Sequence, residues 1–352
     1  MAKRTIPYSM FDHEGHGLAA KNARVLERVY HKGHKHAWDG KAVLDALIET
    51  HGKPALDERT KQALGRVFSI IMWGELAAWR ISAELADELE PLEAKMAATS
   101  QAFDEARHFY VMHDYLEVLG YTPERIHKGA QKLLEGVMNA DNLAKKLLGM
   151  QLMVEPVALT LFHVIKELDV EPVLTALMPY YERDEARHVA LGLQYLPALL
   201  QRMSVKERLE LFAFQFRLLN YEIFTNYYIM RDLEFLNVPP RKLIDTGKAK
   251  QLRALEEVFS SLSMDAKLPT MFLDRYADTL TELTLPLADD GWKGRLQRTF
   301  DVLRHGSVST VNVPIAPTIT DAETPLIQSQ AKRATRSTRT KRVKRTSRST
   351  AA

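Results

Sequence analysis

The chain has 352 residues, of which 46% are hydrophobic and 26% charged, enough to bury a sizeable core in one large domain or two ordinary ones. It contains no cysteine, which excludes disulfides, thiolate zinc sites, cysteine-ligated iron–sulfur clusters and cysteine nucleophiles. Any bound metal must therefore be held by His, Asp and Glu. The 16 glycines and 15 prolines are few for this length, which disfavours a β-sandwich or a propeller.

Residues 1–56 are predicted to form an N-terminal helical extension. Histidines lie among its basic residues, namely His13, His16, His31, His34 and His36. A solvated histidine-rich segment is the favoured interpretation, and a second metal site is the alternative.

Residues 57–305 are predicted to form a helical bundle with added C-terminal helices. Apolar residues recur at three- and four-residue steps over the segments 57–90, 92–119, 139–168, 171–200 and 204–236. Thr122 and Pro123 are expected to cap and begin a further helix after Gly120. Strand patterns are almost absent. The expected fold class is therefore all-α, a bundle with extra N- and C-terminal helices and a disordered basic tail.

Residues 306–352 are rich in Ser, Thr, Val and Pro and then in Lys and Arg, a composition that cannot bury a core and predicts disorder. No acidic residue follows Glu323, whereas nine basic residues lie between Lys332 and Arg348. Subtracting these nine charges from the net charge of +3 leaves −6 for the rest of the chain. Residues 332–348 resemble basic tails that contact nucleic acid or other polyanions. A solubility tail without a dedicated partner is the alternative.

The first residues lack the apolar stretch of a signal peptide. The most apolar region, residues 147–165, is interrupted by Gln151, Glu155, Pro156 and His163, which makes it a poor membrane span. The expectation is a soluble, cytoplasmic protein with no membrane span.

A pentapeptide, Asp-Glu-Ala-Arg-His, occurs twice, at Asp104–His108 and at Asp184–His188, 80 residues apart. Glu75 and Glu155 are also 80 residues apart, and each lies 30 residues before the Glu of its pentapeptide. The chain thus contains a two-helix unit twice: a lone Glu on one helix, then Glu-x-x-His on the next.

This spacing suits a metal site. Residues three apart share one face of a helix, so the Glu and the His of each pentapeptide can hold the same metal. Glu75 and Glu155 lie in apolar sequence, where a carboxylate is costly unless it is paired or bound to metal. Four carboxylates facing one another need cations, and two divalent ions would balance them. A salt-bridged helix surface, or a duplicated bundle that has lost its metal, is the competing interpretation.

One Glu from each of two helices and Glu-x-x-His from two others is the ligand set of ferritin-like dimetal bundles. Over residues 57–200 the chain resembles the ferritin-like di-iron carboxylate superfamily. It is similar to the oxygen-activating branch, with monooxygenase hydroxylases, acyl-carrier-protein desaturases and the ribonucleotide reductase small subunit. The residues at the ligand positions are Glu75, Glu105, His108, Glu155, Glu185 and His188.

The resemblance also implies roles for the other pentapeptide residues. Asp104 and Asp184 match carboxylates that orient the ligand histidine of the opposite half, and Arg107 and Arg187 are expected to tether them. The implied cofactor is two iron ions, with manganese or mixed Mn/Fe as alternatives, because the donors are oxygen and imidazole without sulfur.

Residues one turn from the ligands are expected to line a mainly apolar substrate pocket, although plain core packing would explain each of them too. They are Met72, Ala78, Trp79, Gln101, Met112, Leu159, Phe162, Tyr181 and Gly192. Pro156 directly follows a ligand and predicts a kink or a local widening of its helix, which would open a cavity. A helix that begins near Glu155 is the alternative.

The resemblance implies an O2-dependent oxidoreductase, and more specifically a monooxygenase that hydroxylates or N-oxygenates a small, mainly apolar substrate. Without cysteine there is no internal iron–sulfur relay, so an external reductase or ferredoxin is expected as partner, and a homodimer is an open possibility. Met112 stands where ribonucleotide reductase has its radical tyrosine, which disfavours a tyrosyl-radical role. A polyanion-associated ferritin-like protein with an iron oxidation, storage or structural role is the second hypothesis.

Overall fold

The computed structural model describes residues 24–90, 92–285, 287, 291–306 and 314–315. Within these residues the chain is helical with no strand, which confirms the all-α prediction. His13 and His16 and the basic residues 332–348 lie outside the described residues, so the predictions made for them are untouched by the structure.

From Arg24 onwards, where the described part of the chain begins, two helices precede the paired helices of the predicted metal site. They are α1 (Arg24–Lys35) and α2 (Gly40–His51). Leu26 and Val29 of α1 belong to one cluster of buried apolar side chains, and Val43 and Leu47 of α2 belong to a second. Helices α1 and α2 of the N-terminal extension therefore pack as part of the core.

The four helices that carry the repeated motif form two pairs. The first pair is α3 (Glu58–Glu88) with α4 (Leu92–Leu119), which pack along each other. Asp57 begins α3, because its side chain accepts from the backbone N–H groups of Arg59 and Thr60. The second pair is α7 (Glu155–Leu168) with α8 (Pro172–Arg202), where Glu171 caps α8 in the same way.

Between the two pairs the structure departs from the predicted helix at Thr122. Gly120 ends α4 with φ +74°, and the next helix, α5 (Lys128–Met138), begins only after His127. The Nδ1 atom of His127 accepts from the backbone N–H of Gly129 at 3.1 Å and caps that helix. The prediction of a helix beginning at Thr122 and Pro123 is therefore wrong, because the cap is a histidine five residues later.

The predicted helix 139–168 is interrupted. It consists of α6 (Leu143–Gly149), a π-helix over Met150–Val154, and then α7. Pro156 lies in the first turn of α7, directly after the π-helix. A local widening and a new helix start thus occur together, and both place Glu155 at the junction.

The segment Leu143–Leu168 is apolar and long enough to cross a membrane by length and composition, but 83% of its most apolar window is buried inside the bundle. The remaining helices cover and extend the bundle. They are α9 (Val205–Phe235), α10 (Pro240–Ser261), α11 (Lys267–Thr284) and α12 (Trp292–His305). A capping box of Ser204 and Glu207 fixes the start of α9.

Candidate metal centre

The structure brings all six predicted ligand residues together in the interior. Their donor atoms form two groups, each with all atoms within 4.8 Å of one another. One group consists of Glu75, Glu105, His108 and Glu185, and the other of Glu105, Glu155, Glu185 and His188. Glu105 and Glu185 belong to both groups, so they are placed to bridge two ions.

The histidines turn the same nitrogen towards the carboxylates. Nδ1 of His108 lies 3.1 Å from Glu185 Oε1 and 3.4 Å from Glu75 Oε2. Nδ1 of His188 lies 3.0 Å from both Glu105 Oε1 and Glu185 Oε2. The two halves of the site therefore have equivalent arrangements, as the 80-residue sequence repeat predicts.

The donor set fits two hard divalent ions. Four carboxylates and two imidazoles converge without sulfur, a set that suits iron or manganese. Three donor atoms are fully buried and make no hydrogen bond within the described residues: Glu105 Oε2, Glu185 Oε1 and His108 Nδ1. Buried polar atoms without partners are costly, and a bound metal would satisfy them.

The pKa shifts of the donor residues also fit a site that binds metal ions. Burial raises the pKa values of Glu75 and Glu155 well above the usual range. Burial alone would also raise the pKa of Glu105, but the charge of His188 and the hydrogen bonds with His108 and His188 together outweigh it and lower that pKa to about 2. The histidine pKa values are raised by their carboxylate neighbours, although burial opposes this. Protons thus balance the charge in the absence of metal, and metal ions must displace them to bind.

Each ligand histidine meets an aspartate from the opposite half. Nε2 of His108 lies 3.2 Å from Asp184 Oδ2, and Nε2 of His188 lies 3.4 Å from Asp104 Oδ2. With Nε2 held by a carboxylate, the proton stays on that nitrogen and Nδ1 is free to bind metal.

The two aspartates are held by two arginines in a buried crossed network. Arg107 Nη2 donates to Asp184 at 2.8 Å and also bonds Asp104. Arg187 Nη2 donates to Asp104 at 2.7 Å and lies 2.9 Å from Asp184. The charges of Arg187 and Arg107 help to hold the pKa of Asp184 well below its usual range despite its burial.

Trp38 was not predicted as a site residue. Its indole Nε1 donates to Asp184 Oδ2 at 2.7 Å, and its ring lies against Tyr180 and the Arg107 guanidinium. Trp38 lies between α1 and α2, far in sequence from the motif, so periodicity and spacing carry no signal for it. The N-terminal extension therefore contributes directly to the surroundings of the metal centre.

Five of the predicted pocket residues fall into two groups. Met72, Met112 and Phe162 are buried in apolar packing. Gln101 and Tyr181 touch the centre itself. Gln101 Nε2 donates to Glu105 at 3.0 Å and Glu155 at 3.2 Å, and Tyr181 stacks on His108 and donates to its carbonyl.

Two pocket predictions are wrong for identifiable reasons. Trp79 is 41% exposed, because α3 turns Ala78 towards the interior and Trp79 outwards. Gly192 has no room for a side chain: a Cβ there would lie 2.6 Å from Gln151 Cβ, so the glycine allows α8 to approach the π-helix closely.

We expect Gly192→Ala to destabilise the fold by about 1–3 kcal/mol, because the added methyl group overpacks this contact. Chemical denaturation of the metal-free protein measures the change. Gly74→Ala is the matched control: its Cβ would meet no atom within 4 Å, so it should be neutral or stabilise by up to about 1 kcal/mol. Equal effects of the two substitutions would contradict the close approach at Gly192.

A cavity lies between α3, α5, α7 and α9, away from most of the predicted pocket residues. It has a volume of about 110 Å³ and reaches Glu75 and Glu155. Its wall is mostly aliphatic, and of the predicted pocket residues only Ala78 lines it. Its polar residues other than the two ligands are Glu222, Thr225 and Asn226 of α9.

Glu222 was not predicted as a site residue, although its sequence setting carries a signal. Glu222 lies among the buried residues Leu218, Leu219 and Ile223 on the apolar face of α9. Like Glu75, Glu222 is a carboxylate in an apolar setting, where it is costly unless it is paired.

The ionisation of Glu222 should make stability depend on pH. Burial raises its pKa from 4.5 to about 7. Between these values the folded chain keeps a proton that the unfolded chain has lost, so stability falls as pH rises through this window. Glu222→Gln should remove this loss and gain roughly 3 kcal/mol over wild type at pH 8, with little difference at pH 4. Denaturation curves at both pH values measure it, and a gain that does not depend on pH would contradict it.

Comparison with known proteins gives matches among solved structures alone, since no protein-family model and no curated protein matches the chain. An R2-like ligand-binding oxidase with an aerobically reconstituted Mn/Fe cofactor is 14% identical, covers 73% of this chain and 91% of its own, and has a TM-score of 0.42. A variant with an anaerobically reconstituted Mn/Fe cofactor is 15% identical, covers 73% of this chain and 92% of its own, and has a TM-score of 0.44. A variant with an Fe/Fe cofactor is 14% identical, covers 73% of this chain and 92% of its own, and has a TM-score of 0.42.

Proposed function

We propose that this protein is an O2-dependent dimetal oxidoreductase, and more specifically an oxygenase of a small, mainly apolar molecule. The observation that carries the proposal is the pair of buried donor groups sharing Glu105 and Glu185, at one end of an aliphatic cavity. A purely structural metal site would have no need of such a cavity beside it.

The two donor groups define which residues would hold which ion. Glu75 and His108 would serve one ion, Glu155 and His188 the other, and Glu105 and Glu185 both. A pair of iron ions, or a manganese–iron pair, supplies the redox chemistry that reduces O2 while an organic molecule is oxidised.

The residues around the ligands keep this arrangement in place. Asp104 and Asp184 hold the Nε2 protons of the two histidines, and the crossed arginines hold the aspartates. Gln101 donates to one oxygen each of Glu105 and Glu155, which orients both carboxylates. Such orienting contacts around metal ligands commonly contribute 10- to 100-fold in affinity or activity.

The cavity wall excludes water and admits apolar molecules. Residues such as Ile70, Leu134 and Leu161 line the space beside Glu75 and Glu155. An apolar ligand there would lie directly beside the ligand carboxylates, which is the position a substrate needs. Electrons would come from an external reductase or ferredoxin, because the sequence has no cysteine to hold an iron–sulfur relay.

The number of ferrous ions oxidised per chain separates an oxygenase from a storage protein. Protein loaded with excess ferrous iron and exposed to O2 should oxidise about two ions per chain and react again only after a reductant is added. The absorbance of ferric iron and metal analysis after gel filtration measure both quantities. Oxidation of many ions per chain with a retained mineral would show storage instead.

The basic tail supports a separate proposal, that residues 332–348 bind polyanions. Nine basic and no acidic residues lie there, and such runs bind phosphate backbones with a steep salt dependence. Deleting residues 328–352 should abolish retention of RNA or DNA while leaving iron loading intact. A salt titration of both proteins tests this, and unchanged nucleic-acid affinity after deletion would contradict it.

A further inference from the structure

The cavity beside the metal centre has a second polar end. Glu222, Thr225 and Asn226 lie one turn apart on α9 and face it. The two other polar residues of its lining, Glu75 and Glu155, are metal ligands whose charge two divalent ions would balance. A ligand in the cavity therefore has aliphatic contacts along its length and polar contacts on α9.

Two donors on this face of α9 are already used within the helix. The Thr225 hydroxyl donates to the Tyr221 carbonyl at 2.7 Å, and Asn226 Nδ2 donates to the Glu222 carbonyl at 3.0 Å. Because backbone carbonyls accept only, these bonds fix the donor side of both side chains. What remains is mostly acceptors, namely the Glu222 carboxylate, Asn226 Oδ1 and the Thr225 lone pairs, with one N–H of Asn226 as the remaining donor.

Glu222 is fixed from the other side by one neutral donor. Gln251 Nε2 of α10 donates to Glu222 Oε2 at 2.8 Å and also to the Met153 carbonyl of the π-helix at 3.1 Å. Among the described residues no Lys, Arg or His pairs with Glu222, and its second oxygen receives no protein hydrogen bond. Burial raises its pKa to about 7. A buried carboxylate without a cation is a group that a cationic ligand would stabilise.

We infer that Glu222 determines specificity by binding the ammonium group of a small aliphatic amine whose carbon chain lies along the cavity towards Glu75 and Glu155. The cavity of about 110 Å³ is somewhat smaller than cavities that hold benzene, which limits the carbon chain to about four carbon atoms. A carboxylate ligand would instead face the Glu222 carboxylate and be repelled. Calling the amine a substrate rests on the proposed function, whereas its binding does not.

Calorimetric titration of the iron-loaded protein without O2 tests this inference. The probes are butylamine, butanol and butanoate, which share a chain and differ in the terminal group. Butylamine should bind at least about tenfold more tightly than butanoate, since hydrogen bonds to charged groups contribute about 1.5–3 kcal/mol.

Three variants locate the interaction. Glu222→Gln keeps the shape of the side chain and should weaken butylamine binding at least about tenfold while changing butanol binding less than about threefold. Gly74→Val fills the cavity, because Gly74 lines it with no atom within 4 Å of its Cβ position, and should weaken both. Glu210→Gln, an exposed residue of the same helix, should change neither.

The outcomes are decisive. Butanoate binding as tightly as butylamine, unchanged butylamine affinity in Glu222→Gln, or no binding of any probe would overturn the inference. Metal analysis and O2 consumption of the same samples report on the proposed function separately. Amine binding without an O2 reaction would therefore support the amine-binding site and contradict the proposed oxygenase activity.

Discussion

Replacing Glu185 with Ala should abolish binding of both metal ions, whereas replacing Glu75 with Ala should remove one. Glu185 has donor atoms in both groups, and Glu75 in one. Loss of a bridging carboxylate also leaves the charge of both ions uncompensated in a buried site. Iron content after anaerobic loading and desalting should fall from about two per chain to near zero in the first variant and to about one in the second.

Glu182→Gln is the matched control for this comparison. Glu182 is also buried on α8, one turn before Glu185, but it pairs with Lys166 and belongs to neither donor group. Its iron content should equal that of wild type. If Glu185→Ala retained as much iron as Glu182→Gln, the shared position of Glu185 would be disproved.

Replacing Asp184 with Ala should destabilise the metal-free protein by about 3–5 kcal/mol. The substitution removes the acceptor for Trp38, Arg107 and His108 together, and leaves buried positive charge without its partner. Since natural domains are stable by only about 5–15 kcal/mol, this loss is severe. The free energy of unfolding from urea titration measures it.

Two further variants set the scale. Asp184→Asn keeps one acceptor oxygen and should lose less than Asp184→Ala. Asp232→Ala removes a carboxylate from the partly exposed pair with Arg66 and should cost less than about 1 kcal/mol. Similar losses at Asp184 and Asp232 would show that the crossed network contributes no more than a surface ion pair.

The grouping of the six predicted ligand residues could be anticipated because their pattern is local. Glu105 and His108 lie on one face of one helix whatever the tertiary structure, and the 80-residue repeat indicates that a second such face exists. The burial of Glu75 follows from the apolar residues on both sides of it. Helix α3 and the long helices after it were predicted to within a few residues for the same reason.

The cavity and Trp38 were not predictable in this way. The pocket prediction assumed that residues one turn from a ligand face the substrate, but a helix that carries a ligand packs on several sides. Which side stays open depends on α5 and α9, whose positions depend on tertiary packing. Trp38 reaches Asp184 across 146 residues of sequence, so only the packing of the N-terminal helices places it there.

The most direct test of the dimetal centre is anomalous scattering from crystals of the protein loaded with ferrous iron. We expect two iron peaks enclosed by the six ligand residues, each next to one histidine, with Glu105 and Glu185 contacting both. Nδ1 of His108 and of His188 should face the peaks, and Nε2 should still face Asp184 and Asp104. A single peak, or iron found only elsewhere in the loaded protein, would contradict the dimetal site.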